Sequence, residues 1–259
     1  MYDYHMHSTV SFDGHDSALA MALAARERGM KEICFTDHLD YTPEMDMVFD
    51  TARYNAEYDA LEVPGLLIRF GLEFGLTPDN PRQLKTDLGR RHFDFVLGSV
   101  HLVDGVDVYF ADYWEEKGYE KGLKLYLERT LESVRVHEDY DVLGHLTYVS
   151  KARGIPDHSL IRYADHKSLL DEILRELVKH GKGLELNTSG IDRCGGPLPT
   201  LDYFQRFHEL GGRIVTVGSD AHDVSRAGQY THEMAAELKK IFGYVCTFED
   251  RRPIFHTCK

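Results

Sequence analysis

Two imidazoles one residue apart, His5 and His7, stand in the opening Asp3-Tyr4-His5-Met6-His7. A β-strand alternates its side chains with period two, so the pair projects to one side while Tyr4 and Met6 face the opposite layer. That spacing makes a metal chelate. Short His-x-His strings arise by chance, and this pair gains meaning from the residues that end the other strands. Each later run of strand character stops at a residue able to hold a cation or move a proton: His38 after 32–36, Glu73 after 66–72, His101 after 93–100, and His145 after 142–144. Asn187 follows 184–186, and Asp220 and His222 follow 214–218.

Between these runs the apolar residues recur at helical spacing. Asp16 is placed to cap a helix carrying Leu19, Ala22, Leu23 and Ala25, which Gly29 ends, and a second helix is expected over 51–61. Pro81 stands just inside the next helix, where its missing N–H costs nothing. Helices over 119–137, over 167–179 with Asp165 as cap, and over 232–242 complete the alternation. Residues 102–118, with Tyr109, Phe110 and Trp114, form an insertion long enough to act as a lid. Seven strand-then-helix units predict an α/β fold, a (β/α)7 TIM-like barrel with its chemistry at the carboxyl ends of the strands. No linker or repeat divides the chain, so residues 1–259 read as a single domain.

Lys and Arg number 30 against 43 Asp and Glu, a formal charge of −13, which disfavours a phosphate-backbone partner. The expected partner is small, a phosphomonoester, with no nucleic acid and no membrane. Cys34, Cys194, Cys246 and Cys258 show no paired spacing and point to a reducing compartment. No apolar run approaches the ~20 residues that span a bilayer, and a cytoplasmic protein is expected.

Neutral imidazole combined with carboxylate suits borderline divalent ions, and thiolates are absent from the strand-end set. Zinc, manganese and iron all fit, with zinc the leading expectation. One tetrahedral zinc uses four ligands, so this set implies at least two ions, with Glu73 able to bridge them.

The motifs Asp3-Tyr4-His5-Met6-His7, Ser11-Phe12-Asp13-Gly14-His15, Thr36-Asp37-His38, Gly98-Ser99-Val100-His101, Gly144-His145 and Gly218-Ser219-Asp220-Ala221-His222 together resemble the polymerase-and-histidinol-phosphatase (PHP) family. Leu186-Asn187-Thr188-Ser189-Gly190 is similar to its monofunctional histidinol-phosphatase branch. The resemblance covers nearly the whole chain. It implies a distorted seven-stranded barrel and a trinuclear centre of divalent ions. The first ion would take His5, His7, Glu73 and Asp220; the second His15, His38 and His222; the third Glu73, His101 and His145. Glu73, His38 and Asp220 would be the catalytic residues.

The implied reaction is hydrolysis of L-histidinol phosphate in histidine biosynthesis, by attack of a metal-bound hydroxide. Lys151, Arg153, Arg162 and Arg193 lie in loops after strands five and six and are the candidates for phosphate contact. The family pattern after strand five is Gly-His-Leu-Asp and then an Arg-Tyr pair. Here it reads Gly144-His145-Leu146-Thr147-Tyr148 and then Lys151-Ala152-Arg153, so Lys151 or Arg153 would take the arginine's part. Asp37, beside a ligand, is expected to fix an imidazole and not to bind metal itself. The competing reading is a nucleotide phosphatase or nuclease of the same family, which would show a basic track or stacking platform.

Overall fold

The computed structural model describes residues 1–41, 49–155 and 160–257, so Cys258 lies outside the described residues. Chain order runs β1 (Tyr2–Met6), α1 (Ala18–Glu27), β2 (Glu32–Phe35), the two-residue β3 (His38–Leu39), α2 (Thr51–Tyr58), β4 (Leu67–Gly75), α3 (Pro81–Leu88) and β5 (Phe95–Ser99). A small hairpin, β6 (Leu102–Val103) and β7 (Val106–Asp107), precedes α4 (Ala111–Lys117), α5 (Tyr119–Val136), β8 (Val142–Leu143), α6 (Lys167–Lys179) and β9 (Gly183–Asn187). Then come α7 (Ile191–Cys194), α8 (Leu201–Glu209), β10 (Val215–Gly218), α9 (Thr231–Phe242) and a closing hairpin, β11 (Tyr244–Glu249) and β12 (Arg252–Thr257).

Seven parallel strands pair in the order β1, β2, β4, β5, β8, β9, β10, with β3 added beside β4. The ring closes between β10 and β1, where the Asp220 amide donates to the His5 carbonyl at 2.8 Å and the His7 amide to the Ala221 carbonyl at 2.9 Å. The expected seven-stranded barrel is therefore the observed fold. Helices cover it through regular apolar faces: in α6, Leu170, Ile173, Leu174 and Leu177 are buried at spacings of three and four.

Several local expectations shift. Ser17, in extended backbone, caps α1 through the Ala20 amide, because the Asp16 carboxylate instead accepts the Val224 amide of a distant loop at 2.9 Å. Asp165 does not cap α6; it sits in a 3-10 turn (Tyr163–His166) and pairs with Arg162. Glu73 lies within β4, which runs on to Gly75 because β3 and β5 pair with it there. The short α8, with Tyr203, Phe204 and Phe207 buried, and the β11–β12 hairpin add to the expected elements.

β1 also departs from simple alternation. Its register against β2 slips between Asp3 and Met6, a bulge that admits one extra residue. Tyr4 consequently joins Cys34, Phe95, Leu97 and Val142 in an interior cluster, whereas Met6 packs in the outer core. Cys246 and Phe248 from the terminal hairpin complete that interior cluster. The hairpin is fastened by the Arg69–Glu249 pair at 2.8 Å and by Arg251 against Asp141, so it stoppers the barrel opposite the strand carboxyl ends. Phe248→Ala should cost about 3–5 kcal/mol through the cavity it leaves. At ~2–4 °C per kcal/mol for a chain of this size, Tm is expected to fall by roughly 10 °C. A thermal melt followed by circular dichroism checks this, and a drop under ~3 °C would contradict the stopper role.

The insertion expected as a lid is anchored at its base. Trp114 is buried and its Nε1 donates to the Val108 carbonyl at 2.8 Å, while the Tyr113 hydroxyl donates to the Gly122 carbonyl at 2.7 Å. Phe110, 49% exposed, lines the pocket at the strand carboxyl ends. Among the described residues, no helix is long and apolar enough to cross a membrane.

Candidate metal centre

The bulge in β1 sends His5 and His7 toward the carboxyl-end mouth, β3 supplies His38, and β4 supplies Glu73. The turns after β5, β8 and β10 supply His101, His145, and Asp220 with His222. Glu73 is fully buried at the centre. Its Oε2 lies 2.9 Å from His38 Nδ1, 3.2 Å from His5 Nε2 and 3.6 Å from His7 Nε2. Its Oε1 lies 2.9 Å from His145 Nε2 and 3.5 Å from His101 Nε2. Asp220 adds Oδ1 at 3.5 Å from His5 Nε2 and 3.4 Å from His7 Nε2. It holds a left-handed backbone, φ 55°, which Asp tolerates better than most residues.

Four atoms in this group, His5 Nε2, His7 Nε2, His38 Nδ1 and Glu73 Oε2, are buried without any hydrogen-bond partner. Leaving such atoms unpaired costs ~1–3 kcal/mol each unless something else satisfies them. They converge on one another, and divalent cations held among them would satisfy all four. Ligand atoms fall within 4.8 Å of one another in the groups His5, His7, Glu73; His7, His38, His222; and Glu73, His101, His145. The donors therefore fit metal ions, and they fit more than one.

Of the nine expected ligands, eight come together in this way. His15 stays at the rim of the same pocket, exposed, with its amide donating to the His222 carbonyl at 2.8 Å. Asp13, two residues earlier, faces the second group instead, its Oδ2 lying 3.2 Å from His222 Nε2 and 3.7 Å from His38 Nε2. Asp40, also outside the expected set, bonds His101 Nδ1 at 2.9 Å. Its signal was available, since Asp40 follows His38 at the same spacing of two that joins His5 to His7. Asp37 acts on the imidazoles at one remove. It accepts the Ser11 hydroxyl at 2.8 Å, and Ser11 Oγ lies 3.1 Å from His7 Nδ1 and takes the His38 amide at 3.0 Å.

The electrostatics of the metal-free protein follow from this crowding. Burial works against charge on His38, yet Glu73, Asp13 and Asp40 outweigh it and raise its pKa to about 9. Burial likewise opposes charge on His5 and His101, and the surrounding carboxylates again prevail and lift both well above the ordinary value. His7 goes the other way, driven well down by burial and by His222 and His38. Glu73 and Asp220 are held well below the usual carboxylate range: burial resists, but the imidazoles, and Lys151 at Asp220, dominate.

A basic wall stands beside the carboxylates. Lys151 Nζ pairs with Asp220, donates to Ser189 Oγ at 3.0 Å and lies 5.1 Å from the Tyr148 ring centre. The Arg153 and Arg193 guanidinium carbons lie 5.2 and 5.4 Å from the Tyr109 ring centre, and Arg193 donates to the phenol oxygen at 2.8 Å. Although burial pushes that phenol up, the two arginines bring it below its usual pKa. Arg162 does not join them; it is exposed, paired with Asp165, and outside the pocket lining. The pocket measures about 910 Å³, and Phe12, Val106, Asp107, Phe110 and Asp112 also line it.

The PHP domain family matches residues 3–189. Histidinol-phosphatase of Lactococcus lactis is 32% identical over 252 residues, 95% of this chain and 93% of that protein. A protein named "Probable histidinol-phosphatase" from Clostridium acetobutylicum is 31% identical, covering 86% of each chain. The crystal structure of histidinol phosphate phosphatase from L. lactis, complexed with zinc, L-histidinol and phosphate, aligns with a TM-score of 0.85 over 98% of both chains at 30% identity. Closed barrel, buried histidine–carboxylate centre and sequence agree, and the chain belongs to the PHP domain family.

Proposed function

We propose that this chain is a histidinol-phosphatase, a metal-dependent phosphomonoesterase that releases phosphate from L-histidinol phosphate in histidine biosynthesis. The observation that carries the reading is Glu73, one buried carboxylate shared by five imidazoles, with the Lys151 ammonium against the adjacent Asp220. The named relatives act as support, and zinc in the L. lactis structure favours zinc here, although manganese and iron suit the same donors.

Three ions are assigned: one to His5, His7, Glu73 and Asp220, one to His38 and His222, and one to Glu73, His101 and His145. Bound ions would supply a nucleophile from water near neutral pH and offset charge on the phosphoryl oxygens. The protein's own part is orientation. Lys151, flexible and close to Asp220, reaches a non-bridging oxygen, and Arg153 and Arg193 complete the anionic side. Asp107 and Asp112 suit an ammonium group, and Phe12 and Phe110 suit the flat ring of the leaving alcohol. The same reading makes 1–259 one domain working in the cytoplasm on a small substrate, with neither nucleic acid nor membrane as partner.

Phosphate release from L-histidinol phosphate, set against a panel of mononucleotides and sugar phosphates, tests the proposal. Preferred turnover of histidinol phosphate is expected; turnover of a nucleotide alone would replace it with the nucleotide-phosphatase reading. For the second ion we assign Asp13 as the third donor in place of His15. Asp13→Ala is then expected to lower bound zinc by about one equivalent, and His15→Ala to leave it unchanged, by elemental analysis after dialysis. The reverse pattern would restore His15.

A further inference from the structure

We infer that Glu185 is a positioning residue that ties the first ligand group to the third by dictating which nitrogen of His5 carries hydrogen. This rests on the proposed metal centre and concerns a residue outside every ligand group assigned there. Glu185 is buried within β9, pointing into the barrel like Asn187 two residues on. Its Oε1 lies 2.6 Å from His5 Nδ1, and its Oε2 accepts the backbone amide of His145 at 2.7 Å. Gly218 keeps this contact open: a Cβ there would sit 2.4 Å from Glu185 Oε1 and 2.3 Å from His5 Cβ.

Hydrogen placement is fixed by the neighbours. Asn187 Oδ1 accepts both the amide and the hydroxyl of Ser189, at 2.9 and 2.7 Å, so its Nδ2 must be the end that faces Glu185 Oε2 at 3.3 Å. Oε2 thus receives the His145 amide, while the Asn187 NH2 lies 3.3 Å from Oε2 and 3.4 Å from His5 Nδ1, so the much shorter 2.6 Å contact between Nδ1 and Oε1 decides the hydrogen. A carboxylate at Oε1 is an acceptor too, which leaves His5 Nδ1 to bring the hydrogen. With a metal bound, His5 Nε2 is then the nitrogen that would offer its lone pair, on the side where Glu73 Oε2 and Asp220 Oδ1 lie 3.2 and 3.5 Å away. One side chain therefore sets the tautomer of a ligand in the first group and holds the backbone from which a ligand of the third group projects.

Glutamine at this position is isosteric but has a single acceptor atom. With its oxygen toward His145, its NH2 meets His5 and forces hydrogen onto Nε2, which abolishes the ligand lone pair. Turned the other way, it sets NH2 against the His145 and Asn187 donors. Either orientation penalises metal, and loss of such an outer partner typically weakens metal binding 10–100-fold.

The test is zinc affinity of the whole protein by chelator competition, together with proton NMR of the zinc-loaded form. Glu185→Gln is expected to weaken the first zinc by roughly 10–100-fold and to remove a downfield, exchange-protected His5 Nδ1–H resonance seen in the native protein. Native zinc affinity in Glu185→Gln would overturn the inference. Should the variant fail to fold, the native protein still decides: His5 protonated on Nε2 in the zinc-loaded form overturns it, and on Nδ1 supports it. Zinc binding is read without substrate, so a chain that hydrolyses no phosphomonoester yet shows this dependence would defeat only the proposed activity.

Discussion

Glu73→Gln is expected to release zinc and to lower kcat by roughly a thousandfold together, because the substitution removes the one charge that five imidazoles face. The replaced oxygen, Oε2, is buried without a hydrogen-bond partner and stands 2.9–3.6 Å from His38, His5 and His7. An amide nitrogen there is a donor directed at lone pairs that must bind metal, so the variant opposes the ions in charge and in geometry. Metal-ion catalysis supplies several kcal/mol of charge stabilisation, and ~4 kcal/mol corresponds to about three powers of ten in rate. Elemental analysis of dialysed protein and a phosphate-release assay, run on the same sample, check it. Full metal content with native turnover would remove Glu73 from the centre. The metal-free variant is expected to fold, since the barrel closes through backbone bonds between β10 and β1 that do not involve this side chain.

Zinc is expected to protect the protein against heat far more strongly at pH 9 than at pH 6.5. In the metal-free protein His38, opposed by burial but favoured by Glu73, titrates at about 9 against an ordinary 6.5. A histidine raised in this way contributes its full stabilisation below pH 6.5 and loses it as pH climbs through 9. At ~1.4 kcal/mol per pH unit the loss from His38 is roughly 3 kcal/mol. Glu73 and Asp220, held low, stabilise above the ordinary carboxylate range and stay ionised across this window. Protons and metal compete for the same nitrogens, so zinc affinity rises over the pH range in which the metal-free form weakens. The gap in Tm between zinc-loaded and chelator-treated protein should widen by roughly 6–12 °C from pH 6.5 to 9. A gap that narrows would show that His38 is not the group being displaced.

Much of this architecture was legible in the chain because strands and ligands coincide. A run of buried strand residues that stops at histidine is both a fold signal and a chemical one, and His38, His101, His145 and His222 were all found that way. Pro81 marked a helix start correctly because proline's constraints are local. What escaped depends on distant partners. The bulge that turns Tyr4 inward is set by pairing with β2, and Asp16 loses its capping role to a loop more than 200 positions away. Arg162 looked equivalent to Arg153 and Arg193 because all three sit in loops, yet only the fold decides which loop arginines reach the mouth. Glu185 was readable in principle, since it shares its strand face with Asn187, but a carboxylate inside an apolar strand has meaning only once His5 is known to oppose it.

Closure of the ring has a consequence for how the protein is made. The seam joins the first strand of the barrel to its last: the Ser219 amide donates to Asp3, 216 positions away. At about 5–20 residues per second on the ribosome, His5 and His7 emerge roughly ten to forty seconds before Asp220 exists. A nascent chain therefore offers a naked pair of imidazoles without the aspartate or β10 to complete them. The complete first ligand group therefore exists only late in synthesis, and a polypeptide interrupted between residues 145 and 214 carries most of the nitrogen donors but no vessel to keep an ion in.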